Sequence, residues 1–290
     1  MKRAKKIFGV LSAITLTAPI FAFDWPQSET SSDSFFSYFG QLRGGTIESS
    51  LIFMDNSEIK AADDGNILAV ITEHSDDFGW FESPLGNAVL IAHEDNLVSV
   101  YANLEEDTLS DYLKDGDEIS TGTIIGISGN SGWQEGQSCL EFQVLDTKAQ
   151  AALNPRVLMP RIGNEKPLVV GELSLDDKRG GTHYLLNERY LPAGSYSIYR
   201  SRENVCVPYR TIVAINGATV ERIDYDMLKE KNGRLYVQGN SSYPVETLYP
   251  DKKRQLLGQI QLTRGHTTLD VTIFDIQGSI RTIRYNLEIN

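Results

Sequence analysis

Histidine is scarce in this chain, with four in 290 residues and none in a His-x-His or His-Glu-x-x-His spacing. Sites that rely on clustered imidazoles, for zinc or for proton transfer near neutral pH, have little raw material here. Cysteine is scarcer still: Cys139 and Cys206 allow at most one bridge. Positive charge is also short, with 27 Lys and Arg against 39 Asp and Glu and a net charge of −12. Nucleic acid and anionic lipid surfaces are therefore poor partners. Past the N-terminus no apolar run approaches the about 20 residues a membrane-spanning helix needs.

Lys2, Arg3, Lys5 and Lys6 form a basic start, residues 7–21 are mainly apolar, and Ala22 supplies a small residue for cleavage. This is the pattern of a Sec signal peptide over residues 1–22, which places the protein in the periplasm or beyond. An uncleaved anchor is the alternative, and no cysteine lies near for a lipid anchor. Cleavage leaves 23 basic and 39 acidic residues among 268, a net charge of −16. The polar run 28–34 makes residues 23–39 a flexible N-terminal segment. A mature chain of this length exceeds one usual domain, so two are expected.

Short apolar-polar runs broken by glycine turns predict an all-β protein. In the first half they fall at 50–53, 65–71, 87–93, 97–101, 123–126 and 140–144. Asn154-Pro155 and the Pro160-Arg161-Ile162-Gly163-Asn164 stretch interrupt the pattern. This divides a first antiparallel β domain at 40–158 from a linker at 159–166 and a second domain at 167–290. The second β series, at 194–199, 209–215, 234–237 and 259–262, fits an immunoglobulin-like sandwich. A closing hairpin joins 269–274 to 280–287 through Gly278, which can take positive φ. Residues 225–231 are the best helix candidate, capped by Asn232-Gly233.

Seven segments of the first domain stand in a familiar order. Ile59-Lys60-Ala61-Ala62-Asp63-Asp64-Gly65-Asn66-Ile67 matches "V-x-A-A-x-D-G-x-V", and Gly86-Asn87-Ala88-Val89-Leu90-Ile91-Ala92-His93 matches "G-N-x-V-x-I-x-H". Tyr101-Ala102-Asn103-Leu104 stands for "Y-A-H-L", residues 115–126 for "V-x-x-G-D-x-V-x-x-G-Q-x-I-G", and Gly129-Asn130-Ser131-Gly132 for "G-S-T-G". Cys139-Leu140-Glu141-Phe142-Gln143-Val144 takes the place of "H-L-H-F-E-V", and Asn154-Pro155 that of the closing "N-P". Over residues 40–155 the chain resembles the M23 peptidases, the lysostaphin or LytM-type zinc endopeptidases that cut peptidoglycan cross-bridges.

The resemblance implies a zinc ion held by a His and an Asp of an upstream "H-x-G-x-D" and by the second His of "H-L-H". Counted without gaps, those positions fall on Thr46, Ser50 and Glu141. The family's two catalytic histidines fall on Asn103 and Cys139. All five residues are replaced, so the expectation is a degenerate member with no metal, no cofactor and no hydrolysis by the family route. Hydroxyls are poor zinc ligands near neutral pH, and Asn103 cannot carry a proton as imidazole does. Thr46, Ser50, Asn103, Cys139 and Glu141 then mark a vestigial groove. His93 matches a family position that is not a ligand and reads as structural; His74, His183 and His266 read as surface residues. The acid-rich stretch 105–118 lacks EF-hand spacing and reads as a solvated loop.

Cys139 and Cys206 fall one in each domain. Export favours a bridge between them, while the place of Cys139 on a groove strand favours a buried thiol. The two half-motifs around Asp64-Gly65 and Gly116-Asp117 also suit a biotinyl or lipoyl carrier, but no Met-Lys-Met or Asp-Lys-Ala lies between them. The expected function is an exported, non-catalytic envelope protein that binds peptidoglycan or regulates a cell-wall hydrolase. The alternatives are a residual metallo-endopeptidase with a rebuilt site and a structural or adhesive surface protein.

Overall fold

Alternating buried and exposed side chains over most of the chain produce strands, and the computed structural model describes them for residues 22–72, 83–110, 113–132, 139–202 and 208–290. The first half contains β1 (Phe35–Ser37), β2 (Leu42–Arg43), β3 (Thr46–Ile47), β4 (Leu51–Phe53), β5 (Glu58–Lys60), β6 (Gly65–Ile71) and β7 (Asn87–Ala92). It continues with β8 (Leu97–Leu104), β9 (Glu118–Ile119), β10 (Ile124–Ile127), β11 (Glu141–Asp146), β12 (Ala151–Leu153) and the single helical turn α1 (Pro155–Leu158). Asn154 caps α1 by accepting from the Arg156 amide, with Pro155 in the first turn where its missing N–H costs nothing.

The main sheet of this half runs β9-β6-β7-β8-β11-β12, and β4 and β1 extend from β11. β8 lies between β7 and β11 and is buried on both faces, which is why Leu97-Val98-Ser99-Val100-Tyr101-Ala102-Asn103-Leu104 reads as a nearly continuous apolar run. Tyr101 is fully buried in this core, edge-on to Phe142 at 5.1 Å. Its hydroxyl accepts from the Ala62 amide at 2.7 Å, and burial pushes its pKa up to about 12. The Asp64 carboxylate accepts from the Thr121 amide and hydroxyl at 2.7 Å each, joining two of the sequence motifs. These bonds hold it below the usual carboxylate range.

Residues 23–39 are not a loose segment. Phe23, Phe35, Tyr38 and Phe39 are buried in the core, and β1 pairs with β4. The polar run that implied flexibility covers only the turn between these aromatic anchors. Residues 1–21, which carry the signal-peptide expectation, lie outside the described residues, as does His74. Among the described residues no helix is long and apolar enough to cross a membrane.

The second half contains β13 (Leu173–Asp177), β14 (Thr182–Tyr184), β15 (Tyr190–Leu191), β16 (Gly194–Ser201), β17 (Arg210–Ile215), β18 (Ala218–Lys231) and β19 (Arg234–Gln238). After these come β20 (Ser242–Pro244), the helical turn α2 (Val245–Leu248), β21 (Arg254–Leu262), β22 (Gly265–Phe274) and β23 (Ile280–Ile289). One sheet is ordered β14-β13-β16-β21, and the facing strands run β15-β23-β22-β17-β18. The chain changes sheet between β14 and β15, and β15 runs parallel to the last strand. This is an immunoglobulin-like β-sandwich, closed over Leu175, Ile198, Val213, Leu257, Val271 and Leu287. The terminal hairpin pairs Gly265 with Ile289 through to Phe274 with Ile280, and Gly278 turns it at φ 90°.

The helix expected at 225–231 is instead the end of β18, and Asn232-Gly233, at φ 55° and 72°, forms the two-residue turn into β19. Glu221, Ile223 and Tyr225 are buried with a strand period of two. A register shift between Asp224 and Leu228 then moves the next buried side chain to Leu228. That shift creates the three-residue spacing of Tyr225 and Leu228 that imitates a helix face.

β18 also joins the two halves. Leu153, Ala152 and Ala151 of β12 pair with Met227, Leu228 and Lys229, so one sheet continues from the first half into the sandwich. Asn154 donates to the Tyr225 carbonyl at 2.9 Å, and the Tyr249 hydroxyl bonds the Gly40 carbonyl.

His183 is not a plain surface residue. It is half-buried beneath Tyr196, with Nδ1 2.7 Å from Glu188 and Nε2 3.5 Å from Asp177. The bond to Glu188, aided by Asp177, raises its pKa above the usual imidazole value even though burial opposes this. A raised folded pKa stabilises the protein fully below the unfolded value of about 6.5 and stops doing so as pH climbs through the folded value. The thermal midpoint is therefore expected to fall between pH 5.5 and pH 8 by more in the parent than in His183→Gln, as read by differential scanning calorimetry. Equal pH dependence in the two would refute the assignment.

Candidate functional site

The five positions marked by the sequence fall on or beside β3, β4, β8 and β11, and the structure brings four of them together as two pairs. β4 and β11 run antiparallel with Ile52 opposite Glu141, which sets Ser50, just before β4, beside Glu141. The Ser50 hydroxyl is 3.2 Å from Glu141 Oε1 and 2.6 Å from Glu48 Oε1. With one proton for two carboxylates, Ser50 donates to Glu48 across the shorter contact. The second Glu48 oxygen accepts from Arg43 at 3.1 Å, and Glu48 also takes the Ser50 amide. Thr46 is exposed on β3 opposite Arg43 and enters this cluster only through that neighbour.

Asn103 and Cys139 form the other pair. Asn103 is buried at the end of β8 in the left-handed region at φ 63°, which Asn tolerates better than most residues. Its side-chain NH₂ donates to the Gly129 carbonyl at 2.9 Å and to the Cys139 carbonyl, and its Oδ1 accepts from the Gly132 amide at 2.7 Å. All the side chain's main hydrogen-bonding capacity is thereby spent on backbone.

Glycine is required in this frame for a steric reason. A Cβ on Gly86 would sit 2.4 Å from the Ser131–Gly132 backbone, and one on Gly129 would sit 2.6 Å from the Glu105 amide. Ser131 completes the joint, accepting from the Asn87 amide at 2.9 Å and donating to the Leu104 carbonyl at 2.6 Å.

Burial pushes the Cys139 thiol above its ordinary pKa, although Arg43 works in the other direction. Thiolate is the species that reacts and binds metal, so Cys139 should resist iodoacetamide at pH 8 in the native protein and react at once in 6 M guanidinium. Mass spectrometry of alkylated peptides reads this, and rapid native labelling of Cys139 would contradict the burial. Cys206, the second cysteine of the bridge weighed against a buried thiol, lies outside the described residues.

These donors do not fit a zinc ion. Glu48 is committed to Arg43 and Ser50, Ser50 offers a hydroxyl, burial disfavours the Cys139 thiolate, and Asn103 is locked to backbone. No group of three or more His, Cys, Asp or Glu side chains among the described residues is placed to hold a metal. His93 is structural, as expected, with Nδ1 on the Asp64 carbonyl at 2.8 Å and Nε2 on Ser99 at 2.7 Å. Sequence reasoning missed Arg43 and Glu48. They stand five residues apart across the polar, glycine-containing stretch 44–50, and that spacing carries no signal that the two meet beside Ser50.

The profile of Peptidase family M23 matches residues 50–155, and a second family, carrying no description, matches residues 167–290. An uncharacterized protein of Treponema pallidum (strain Nichols) is 32% identical over 133 residues, covering 43% of this chain and 87% of that protein. Among solved structures, Csd3 of Helicobacter pylori is 22% identical with a TM-score of 0.37, over 51% of this chain and 36% of that one. A zinc-containing peptidase of Vibrio cholerae is 21% identical with a TM-score of 0.34, over 43% of this chain and 36% of that one. The chain thus spans little more than a third of the length of either. The first domain is therefore M23-like over residues 50–155.

Proposed function

We propose that this protein is an exported, non-catalytic M23-like module of the cell envelope, binding peptidoglycan or a cell-wall hydrolase through the former substrate groove. The observation that carries this reading is Asn103. At the position where the family resemblance calls for a catalytic histidine stands a buried amide that bonds three backbone groups and has no ionisable proton. The Arg43–Glu48–Ser50–Glu141 cluster supports the same reading, because Glu48 is neutralised within the protein by the Arg43 guanidinium and also accepts from the Ser50 hydroxyl.

The test is metal analysis of the purified protein combined with a sacculus pull-down and an assay for released muropeptides. The expected result is far less than one zinc per chain, no release, and retention on sacculi or capture of a hydrolase. Glu141→Lys should weaken that retention about tenfold, since it reverses a charge at the centre of the groove. Stoichiometric zinc with chelator-sensitive release would establish the metallohydrolase instead. Binding to neither sacculi nor hydrolase would leave a structural or adhesive role.

A further inference from the structure

We propose that the outer face of the β14-β13-β16-β21 sheet binds an uncharged glycan chain, at a site separate from the groove of the first domain and whatever that groove binds. The inner face of this sheet is spent on the sandwich core through Leu173, Leu175, Ile198 and Leu262. Alternate side chains point the other way. Along β16 these are Ser195, Ser197, Tyr199 and Ser201, of which Tyr199 is covered and joins the core of the first half. In register beside them lie Ser174 and Asp176 of β13, followed by Thr182 and Tyr184 of β14. Gln259 and Gln261 of β21 flank the other side.

Two cavities of about 560 Å³ each open on this face. One lies over Ser174, Thr182, Tyr184 and Ser201, the other over Asp176, Ser195, Ser197 and Gln259. Arg254 and Tyr199 divide them. Arg254 is fixed by Asp176 at 2.8 Å and Asp251 at 2.7 Å, and its guanidinium lies 5.0 Å over the Tyr199 ring. From Ser195 to Ser201 the strand extends about 20 Å, long enough for several linked sugar rings.

Charge narrows the choice of occupant. Around the two cavities Glu172, Asp176, Asp177 and Asp251 are balanced by Lys178, Lys252, Lys253 and Arg254, a net charge of zero in a chain of −12. Neither a polyanion nor a polycation gains from such a surface. An extended peptide would need a free strand edge or apolar side-chain pockets. The sheet's edges are β14 and β21, but the cavities open over the face between them, where β13 and β16 are paired on both sides and hydroxyls, amides and charged groups line the walls. The face offers paired donors and acceptors, with Ser195 donating to Gln261 at 2.6 Å and Gln259 to Ser197 at 3.3 Å. It also offers the ring of Tyr184, 44% exposed. Neighbouring sugar hydroxyls exchange hydrogen bonds with such amide and hydroxyl groups, and the C–H face of a pyranose packs on an aromatic ring.

The probe is chitohexaose, a neutral β-1,4-linked N-acetylglucosamine hexamer, titrated into the full chain by isothermal calorimetry, with heparin and polylysine as charged comparators. Saturable binding of the hexamer is expected, with Tyr184→Ala weakening it about tenfold. The Gln259→Ala, Gln261→Ala double variant should weaken it similarly. Both changes are at exposed positions, so circular dichroism should confirm an intact fold. Tyr190→Ala, which removes a more exposed tyrosine on β15, should bind as the parent does. The proposal is overturned if the hexamer does not bind, if Tyr190→Ala weakens binding as much as Tyr184→Ala, or if heparin or polylysine binds more tightly. Sacculus retention that depends on Glu141 while the hexamer fails to bind would sink this site and leave the groove reading standing.

Discussion

Asn103→Ala should destabilise the protein by about 3 kcal/mol or more, measured by urea unfolding at pH 7. Two backbone groups lose their partner, the Cys139 carbonyl and the half-buried Gly132 amide, while the Gly129 carbonyl keeps the Cys139 amide, and each orphaned group costs about 1–3 kcal/mol. Alanine also tolerates the φ of 63° less well than asparagine, which adds about 1 kcal/mol. Asn103→Asp separates the contributions, since it keeps the acceptor for Gly132 and loses both donors. Its loss should be large but smaller than that of Asn103→Ala. Asn103→His restores the family's residue type and should also destabilise, because Gly132 and Gly129 pack tightly around an amide and leave an imidazole no matching partners. A well-folded Asn103→His protein with zinc-dependent cleavage would defeat both the structural account and the non-catalytic reading.

Severing the chain within 159–166 should leave neither half soluble, even though this is the stretch whose prolines and glycine read as a linker. The core of the first half includes nine buried side chains from the second: Tyr199, Ile223, Tyr225, Leu228, Val237, Tyr243, Leu248, Tyr249 and Leu256. Fully exposing such a side chain costs about 1.5–3 kcal/mol. Exposing even half of these would consume most of the 5–15 kcal/mol that holds a typical domain together. Expression of residues 22–158 and 167–290, separately and together, reads the outcome by solubility and heteronuclear NMR. A folded, monomeric 22–158 fragment would show that the shared core is dispensable.

The fold was largely legible because β-type alternation and glycine turns are local signals. The motif order located β6, β7, β8, β10 and β11 well, since the glycines at 86 and 129 and the Asp64 turn are required by contacts between the segments that carry them. What was not legible depends on long-range pairing. The bulge in β18 imitates a helical repeat, and only its partner β19 shows that the chain is extended there. The polar run 28–34 made residues 23–39 read as flexible, and only the pairing of β1 with β4 and the burial of Phe23 and Phe35 show that they are held. In the site, Ser50, Asn103, Cys139 and Glu141 could be located by counting, but Arg43 and Glu48 could not, because nothing in their spacing says that a guanidinium and a carboxylate meet beside Ser50.

The pairing of β12 with β18 does more than fasten two bodies. A sheet that ends in an uncovered strand offers a ladder of unsatisfied N–H and C=O groups to any passing chain. Here each half uses the other to seal that border, and Asn154 locks the seam with its bond to Tyr225. Transplanting either half into another protein would reopen the border as a site for self-association.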